Sequence, residues 1–321
     1  MFLQKGVTLG AWLNTPVYRE TSQTSFFNIL ISHKDAGHKS KNFAALFTIK
    51  QMLSKTHKID KKSESTNLTI AVLALNEASM ITSCLESASF AEQILVIDSG
   101  SSDDTMLIAR SLGAEVHSYA DWQGFAIQRN RALEHCRQGY VFFLDCDEII
   151  PANLAKEILE IVKQGTVNRG LIRWDDFIFG KRLQGIHQTK GVARLFKIHD
   201  ILEFRGQVHE SAVLKAPEIT HIFHTKLIHY SRRTVYQSLL KLGQYSQLAA
   251  ISLRKSKKNI GVLAGLMHAI PRFLKLYFIK MSFLSGAEGF LYSLFIALEV
   301  FFKYCAARYD NDSTASNPVR R

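Results

Sequence analysis

The sequence predicts an α/β fold in which helices cover a mostly parallel sheet on both faces. Between residues 67 and 165, short apolar runs rich in β-forming residues alternate with helical stretches. The runs are almost continuously apolar, which is typical of strands that are buried on both faces. Strands that alternate with helices in this way indicate parallel pairing.

Four strands and four helices are predicted in this part of the chain. The strands are expected over residues 68–75, 93–98, 114–119 and 140–145. The helices are expected over 79–88, from the SGSSDDT turn to about 112, over 124–136, and from Pro151 to about 163. From Gly170 to Tyr230 the pattern is less regular. Three further helices are predicted at about 232–256, 260–284 and 287–308.

Composition and charge divide the chain into four predicted parts. Residues 1–66 are a polar appendage without a chemical motif, 67–230 a catalytic domain, 231–308 a basic helical region, and 309–321 a polar tail. The net charge of +12 is unevenly distributed, because residues 226–308 carry 13 Lys/Arg against two Asp/Glu. An acidic middle beside a basic, apolar C-terminal region indicates a catalytic unit followed by a surface-binding unit.

The four cysteines and the N-terminus indicate a cytosolic compartment. No C-x-x-C pair and no zinc-like spacing occur among Cys84, Cys136, Cys146 and Cys305, so reduced thiols are expected. No secretory signal pattern is expected at the N-terminus. The 47% hydrophobic content excludes a largely disordered chain.

The strongest chemical signal is the FLDCDE segment over residues 143–148. Asp145 and Asp147 follow a predicted strand directly, and such a pair can hold Mg²⁺ or Mn²⁺ through oxygen ligands while a diphosphate completes the shell. A bound divalent ion offsets the charge that builds on a departing diphosphate. The alternative is an acidic turn at the end of an exposed strand.

Two more polar clusters follow the first and second predicted strands. Ligands of open α/β sheets bind beyond the carboxyl ends of the strands, where Asn76-Glu77 and Asp98-Ser99 are expected. Asp98 is suited to a nucleoside, because a carboxylate accepts from a ribose hydroxyl or a base N–H. The alternative roles are a helix cap for Asp98, although Asp103 or Asp104 suits that role better, and an ordinary turn for Asn76.

Arg129 lies in the WQGFAIQRN segment that opens the helix before the fourth strand. Its planar guanidinium is suited to pairing with phosphate or stacking near a base. The alternative is a solvated helix arginine.

The order of LALNEA, VIDSGSSDDT, QRN-x-AL and FLDCDE resembles the GT-A glycosyltransferases of family 2. The resemblance covers about 67–165 and implies a Rossmann-like nucleotide-sugar-binding domain that transfers sugars with inversion. It places Glu77, Asp98 and Arg129 at the nucleoside, and Asp145 and Asp147 at the metal and diphosphate.

The segments RLF, VHE, IHYS and GFLYSLFIALEVFFKYCA, between residues 194 and 306, resemble the lipopolysaccharide-core β-glucosyltransferase branch of that family. This resemblance implies glucose transfer from UDP-glucose to an inner-core heptose. That branch has an acidic residue shortly before RLF, whereas this chain has Lys190 there.

Other carboxylates are therefore candidates for the catalytic base, since an inverting transfer needs a group that takes the acceptor hydroxyl's proton. Glu210 of the VHE segment is the first candidate, and Asp175 and Asp176 of WDDF are the next. His209 is a candidate metal ligand or an orienting group for Glu210; a satisfied structural histidine is the alternative.

The C-terminal region predicts attachment to a membrane surface. The apolar run over 289–302 is too short to span a bilayer. A basic amphipathic region, suited to anionic headgroups, is formed by the RKSKK run at 254–258 together with Arg272, Lys275 and Lys280. We expect a peripheral protein on the cytoplasmic face of a bacterial inner membrane. The alternative is a helical subdomain that packs on the catalytic core.

The predicted function is the inverting transfer of a hexose, glucose by resemblance, from a UDP-sugar to a lipid-linked lipopolysaccharide-core oligosaccharide, with a divalent metal. A polyprenyl-phosphate glycosyltransferase is the alternative. The pI of about 9.5 also suggests a nucleic-acid-binding protein. We expect no nucleic acid as a partner, because the basic residues accompany apolar helices and the edge that carries D-x-D is acidic.

Overall fold

A seven-stranded mixed sheet lies at the centre of the computed structural model, which describes residues 66–186, 191–206, 210–255 and 260–310. Its strands are β1 (Leu68–Ala74), β2 (Gln93–Asp98), β3 (Glu115–Ser118), β4 (Tyr140–Asp145), β6 (Arg169–Ile172), β9 (Val192–Lys197) and β12 (Thr220–Ile222). They lie in the order β12-β6-β9-β4-β1-β2-β3.

The half of the sheet that was predicted from the sequence is parallel. β1 pairs in parallel with both β2 and β4, and β2 pairs in parallel with β3. β9 is antiparallel to its neighbours β4 and β6, and β12 is parallel to β6. The predicted α/β class with a mostly parallel sheet is confirmed.

Helices pack on both faces of this sheet. The first four are α1 (Ile81–Ser87), α2 (Thr105–Ser111), α3 (Phe125–His135) and α4 (Ala152–Gln164). Adjacent residues of β1 point to opposite faces, so Ile70 packs in one core with Ile158 of α4, and Ala71 packs in the other with Ala132 of α3. This two-sided burial is the physical reason for the continuous apolar runs.

A second, four-stranded sheet lies beside the end of β4. It contains β5 (Glu148–Ile149), β7 (Trp174–Ile178), β8 (Lys181–Arg182) and β13 (Leu227–Arg232), in the order β5-β13-β7-β8. β13 is antiparallel to β5 and parallel to β7. A separate hairpin joins β10 (Ile201–Arg205) to β11 (Ser211–Leu214).

The C-terminal helices are α5 (Val235–Lys255), α6 (Val262–Leu274) and α7 (Gly286–Tyr309). The single helix predicted over 260–284 is wrong at its end: α6 passes into a π-helical turn at Lys275–Ile279, and a 3₁₀ turn follows at Ser282–Ser285. Met281 between these turns has a φ of 60°, a left-handed conformation that cannot continue a right-handed helix.

Candidate active site

A cleft of about 1560 Å³ lies at the carboxyl ends of β1 and β4. The sequence-predicted residues that line it are Asn76, Glu77, Ser99, Arg129, Asp145, Asp147, Asp176 and Glu210. Asp98 and Asp175 are not among its lining residues. His209 lies outside the described residues. The clusters that follow separate strands are therefore brought to one cavity.

The loop after β1 is joined to the loop after β2 by Asn76. Its backbone N–H donates to Oγ of Ser101 at 2.9 Å, and its Oδ1 accepts from the backbone N–H of Ser102 at 2.8 Å. Asn76 has a φ of 54°, a conformation that asparagine tolerates better than most residues. In this structure the asparagine holds two loops of the cleft together.

Glu77 forms an ion pair across the cleft with Arg233, which lies just after β13. Oε2 of Glu77 and Nη2 of Arg233 are 3.1 Å apart. Burial raises the pKa of the Glu77 carboxyl, although the nearby Arg233 charge acts in the opposite direction. The sequence did not identify Arg233 as a partner of this loop, because the two residues are 156 positions apart.

Asp98 shapes the turn after β2 from inside the protein. Its side chain is fully buried, and its Oδ2 accepts from the N–H groups of Gly100 at 2.9 Å and Ser101 at 3.0 Å and from the Ser118 hydroxyl at 3.1 Å. Gly100 has a φ of 94°, and a Cβ there would lie 3.1 Å from that of Ala120. The structure thus places the carboxylate behind the turn, whereas Gly100 itself lines the cleft.

Helix α3 carries two neighbouring residues with different roles. Arg129 is buried, not solvated, and its guanidinium lies over the rings of Phe143 and Phe204, 4.9 and 5.5 Å from their centroids. Asn130 anchors the β10–β11 hairpin, because its Nδ2 donates to the Phe204 carbonyl and its Oδ1 accepts from the Phe204 N–H. Gln128, also buried, donates to Oγ of Ser99 at 2.8 Å.

Asp145 of the D-x-D segment pairs with a buried arginine. Nη2 of Arg194 lies 2.7 Å from Oδ2 of Asp145 and also contacts Oε1 of Glu148. Trp174 donates from Nε1 to the same Glu148 oxygen at 2.7 Å. Burial raises the pKa of the Glu148 carboxyl to about 7, although the Arg194 charge acts in the opposite direction. Arg194 is the arginine of the RLF segment, to which the sequence assigned no role.

Asp147 lies between Lys241 and His229. Its Oδ2 is 3.9 Å from Nζ of Lys241 and 3.8 Å from Nε2 of His229, and Nδ1 of His229 is 2.8 Å from Oδ1 of Asp176. Burial alone would lower the pKa of His229, but the Asp176 hydrogen bond and the charges of Asp147 and Glu148 outweigh it and raise that pKa. His229 belongs to the IHYS segment, and its role was missed because the sequence does not show that β13 lies between β5 and β7.

The donors at this place fit a divalent cation. Mg²⁺ and similar ions lie about 2.1 Å from their ligands, so a carboxylate oxygen and an imidazole nitrogen 3.8 Å apart can both bind one ion. The Asp176 hydrogen bond favours a proton on Nδ1 of His229 and leaves Nε2 as the ligand atom. His229 is therefore a candidate ligand beside Asp147.

The three candidate bases have different surroundings. Oε1 of Glu210 lies 3.0 Å from Nη2 of Arg129, and both side chains line the cleft. Asp176 is hydrogen-bonded to His229. Asp175, its neighbour on β7, pairs instead with Nε of the exposed Arg182 at 2.7 Å. Because successive strand residues point to opposite faces, only one of the two aspartates faces the cleft.

The sequence of residues 69–209 matches the family model of glycosyl transferase family 2. The chain is 26% identical over 268 residues to an uncharacterized glycosyltransferase of Rickettsia bellii, which covers 78% of this chain and 88% of that protein. It is 25% identical over 241 residues to the lipopolysaccharide core biosynthesis glycosyltransferase LpsC of Rhizobium meliloti, over 73% of this chain and 89% of that protein.

Among solved structures, that of S. aureus TarS 1-349 in complex with UDP-GlcNAc is similar over 73% of this chain and 81% of that chain, with 14% identity and a TM-score of 0.41. The family match includes the first four strands of the central sheet and both aspartates of the D-x-D segment. Residues 69–209 therefore form a family 2 glycosyltransferase domain, and the protein is a glycosyltransferase.

Proposed function

We propose that this glycosyltransferase transfers glucose with inversion from UDP-glucose to a lipopolysaccharide inner-core acceptor, with Mg²⁺ or Mn²⁺ bound at Asp147. The observation that carries the proposal is the convergence of Asp147, His229 and Glu210 on one cleft at the carboxyl ends of the parallel strands. The similarity to LpsC of Rhizobium meliloti, a lipopolysaccharide core biosynthesis glycosyltransferase, supports the choice of acceptor.

The donor occupies the end of the cleft formed by the loops after β1 and β2. The turn at Ser99 and Gly100 faces the cleft and is held in shape by Asp98 from behind, so Asp98 acts on the nucleoside through this turn. Arg129 supplies a positive charge to the diphosphate. In this proposal Asn76 and Glu77 complete the nucleoside side.

Asp147 and His229 would hold the metal ion, and Asp176 orients His229 through its hydrogen bond to Nδ1. When bound, the ion would offset the negative charge that builds on the departing diphosphate. Asp145 is paired with Arg194. We place Asp145 at the donor, with Arg194 fixing its orientation from the protein interior.

Glu210 is the proposed base. Its carboxylate is paired with Arg129, and a diphosphate that binds Arg129 competes for the same guanidinium. Donor binding thus releases Glu210 to accept the proton of the acceptor hydroxyl. Asp176 is less suited to this role, because its Oδ1 is held by Nδ1 of His229.

The apolar helix α6 supports membrane attachment. Leu263, Met267 and Ile270 recur at helical spacing on one face and are 73%, 68% and 56% exposed. An uncovered apolar face of this kind, with basic residues nearby, suits the interface of an anionic membrane. The cations predicted at 257 and 258 lie outside the described residues.

Two segments, Val262–Ile279 and Ser282–Tyr309, are long and apolar enough to cross a membrane by length and composition alone. The apolar run of 14 residues over 289–302 was expected to be too short to span a bilayer. The helix α7 that contains this run has 24 residues. The middle of α7 packs on the small sheet, however, through the ion pair of Glu299 with Arg232 and the ring contact of Phe295 with Phe179. We therefore propose a peripheral protein on the cytoplasmic face of the inner membrane.

A donor and acceptor screen tests the proposal. The purified protein is incubated with Mn²⁺ and each of UDP-glucose, UDP-galactose and UDP-GlcNAc, with either lipopolysaccharide-core acceptors or a polyprenyl phosphate. We expect glucose transfer to the core acceptor, with the β-anomer as product. Transfer only to the polyprenyl phosphate would replace the proposed acceptor, and transfer only from another nucleotide sugar would replace the donor.

A further inference from the structure

The cleft extends beyond Asp147 and Asp176 to the C-terminal helices. Arg272 of α6 and Lys280, just after the π-helical turn, line the same cavity as the two aspartates. The backbone N–H of Ile186 donates to the Lys280 carbonyl at 2.8 Å, so the loop after β8 is attached to this helical wall. The helical region therefore forms one side of the cleft.

Tyr292 lines the same cavity as Arg272 and Asp176. Burial raises the pKa of its hydroxyl, and the charge of Asp176 acts in the same direction. Asp176 in turn contacts His229, which lies 3.8 Å from Asp147. The proposed metal ligands and Arg272 therefore face one cavity.

Arg272 and Lys280 differ from the other arginines and lysines that line the cleft. Each of the others is paired with a carboxylate, namely Arg129 with Glu210, Arg169 with Glu218, Arg194 with Asp145 and Glu148, Arg232 with Glu299, Arg233 with Glu77, and Lys241 with Asp147. Within the residues that the structure describes, neither Arg272 nor Lys280 forms an ion pair. Two cations that face a cavity and lack a carboxylate partner are suited to an anionic ligand.

These two cations also lie beside the apolar surface. Leu274, Phe278 and Ile279, between them in sequence, are 46%, 56% and 68% exposed. A lipid-linked acceptor that enters from the membrane would pass this end of the cleft before it reaches Asp147. The donor end is formed by the loops after β1 and β2, so the two substrates approach from different sides.

We infer that Arg272 and Lys280 form an acceptor subsite that binds an anionic group, a phosphate or a carboxylate, on the sugar acceptor. This inference rests on the proposed function and specifies the acceptor's charge. The guanidinium offers two parallel N–H donors to such a group, and the lysine adds a second charge. The acceptor hydroxyl is thereby positioned toward Glu210 and the donor.

The test compares two synthetic acceptors, an octyl heptoside that carries a phosphate monoester and the same heptoside without it. We expect Arg272→Gln and Lys280→Gln each to raise the KM for the phosphorylated acceptor by roughly 10-fold, with kcat nearly unchanged. The KM values for UDP-glucose and for the unphosphorylated acceptor should not change. Lys275→Gln is the matched control, because Lys275 is exposed on the same segment but does not line the cleft.

A vesicle-binding experiment distinguishes an anionic group on the acceptor from a lipid headgroup as the ligand of Arg272 and Lys280. If Arg272 and Lys280 bound headgroups instead, their variants would lower binding to phosphatidylglycerol vesicles and change the KM of both acceptors equally. That result, or an equal effect of Lys275→Gln on the phosphorylated acceptor, would overturn the subsite.

A direct binding measurement tests the subsite independently of the proposed glucose transfer. Saturation-transfer NMR measures binding of both heptosides to the wild type and to Arg272→Gln without turnover. Preferential binding of the phosphorylated heptoside that Arg272→Gln abolishes would support the subsite even if glucose transfer failed. Turnover without any preference for the phosphorylated heptoside would refute the subsite and leave the proposed function intact.

Discussion

Nη2 of Arg129 lies 3.0 Å from Oε1 of Glu210, and this ion pair joins the proposed diphosphate ligand to the proposed base. Arg129 is buried against two phenylalanine rings, whereas Glu210 begins the segment that leads into β11. A diphosphate that binds this guanidinium competes with the carboxylate for it. The proposed mechanism therefore couples donor binding to the base.

The base is tested with Glu210→Gln, which keeps the shape of the side chain but cannot accept the proton. Transfer should fall by about 10²-fold or more, while calorimetry with UDP should show donor binding retained. Asp175→Asn is the control, because Asp175 does not line the cleft. An active Glu210→Gln, together with an inactive Asp176→Asn that keeps its Mn²⁺ affinity, would assign the base to Asp176.

The metal site is tested with Asp147→Asn and His229→Ala. We expect Mn²⁺ affinity, measured by electron paramagnetic resonance, to fall by roughly 10-fold or more in both variants, because each removes one proposed ligand. Transfer should be nearly lost in Asp147→Asn and in EDTA. Asp104→Asn serves as the control, since this exposed aspartate has no side-chain capping bond. Full activity in EDTA would refute metal dependence.

Asp98→Ala should destabilise the protein as well as weaken UDP binding. The substitution leaves the N–H groups of Gly100 and Ser101 and the hydroxyl of Ser118 without their acceptor. The free energy of unfolding should fall by roughly 2 kcal/mol or more, as measured by urea denaturation. Unchanged stability with lost UDP affinity would indicate that Asp98 contacts the nucleoside directly.

Glu157, which lies outside the cleft, makes the stability of the folded protein depend on pH. Burial alone would raise its pKa, but hydrogen bonds from the backbone N–H groups of His224 and Thr225 hold it at about 2, against 4.5 for the free side chain. A lowered pKa stabilises the folded state above 4.5, and this contribution is lost as the pH falls toward 2. Glu157→Gln should therefore cost about 1 kcal/mol at neutral pH and less in acid.

Urea denaturation at pH 7 and at pH 3 measures this difference. Glu160→Gln, an exposed position on the same helix, should have little effect at either pH. A constant loss in Glu157→Gln across the two pH values would show that its charge is not the cause.

Membrane attachment is tested on α6. Replacing Leu263, Met267 and Ile270 by serine should lower binding to phosphatidylglycerol vesicles by roughly 10-fold or more, because each is a large apolar residue on the exposed face. Leu107→Ser is the control, since Leu107 is 67% exposed on α2, away from this face. High salt should release part of the wild type, whereas retention after alkaline carbonate extraction would indicate a spanning protein.

The sequence by itself determined the parallel half of the sheet and the position of its polar clusters. The runs that form β1, β2 and β4 are apolar because both of their faces are buried. Such runs can be recognised in the sequence without knowing which strands pair with one another. The residues that follow these strands must then meet at one edge. Asp145, Asp147 and Glu77 were therefore expected near one another from local patterns alone.

Only the tertiary structure decided which side chains enter the cleft. Asp175 and Asp176 are equivalent in the sequence, and their difference depends on which face of β7 meets His229 of β13. The burial of Asp98 depends likewise on Ser118 in a neighbouring strand. Arg272 lines the cleft because α6 packs against α7, which in turn contacts Arg232 of the small sheet. Contacts between residues far apart in the chain leave no local pattern, and these contacts set the direction of each side chain.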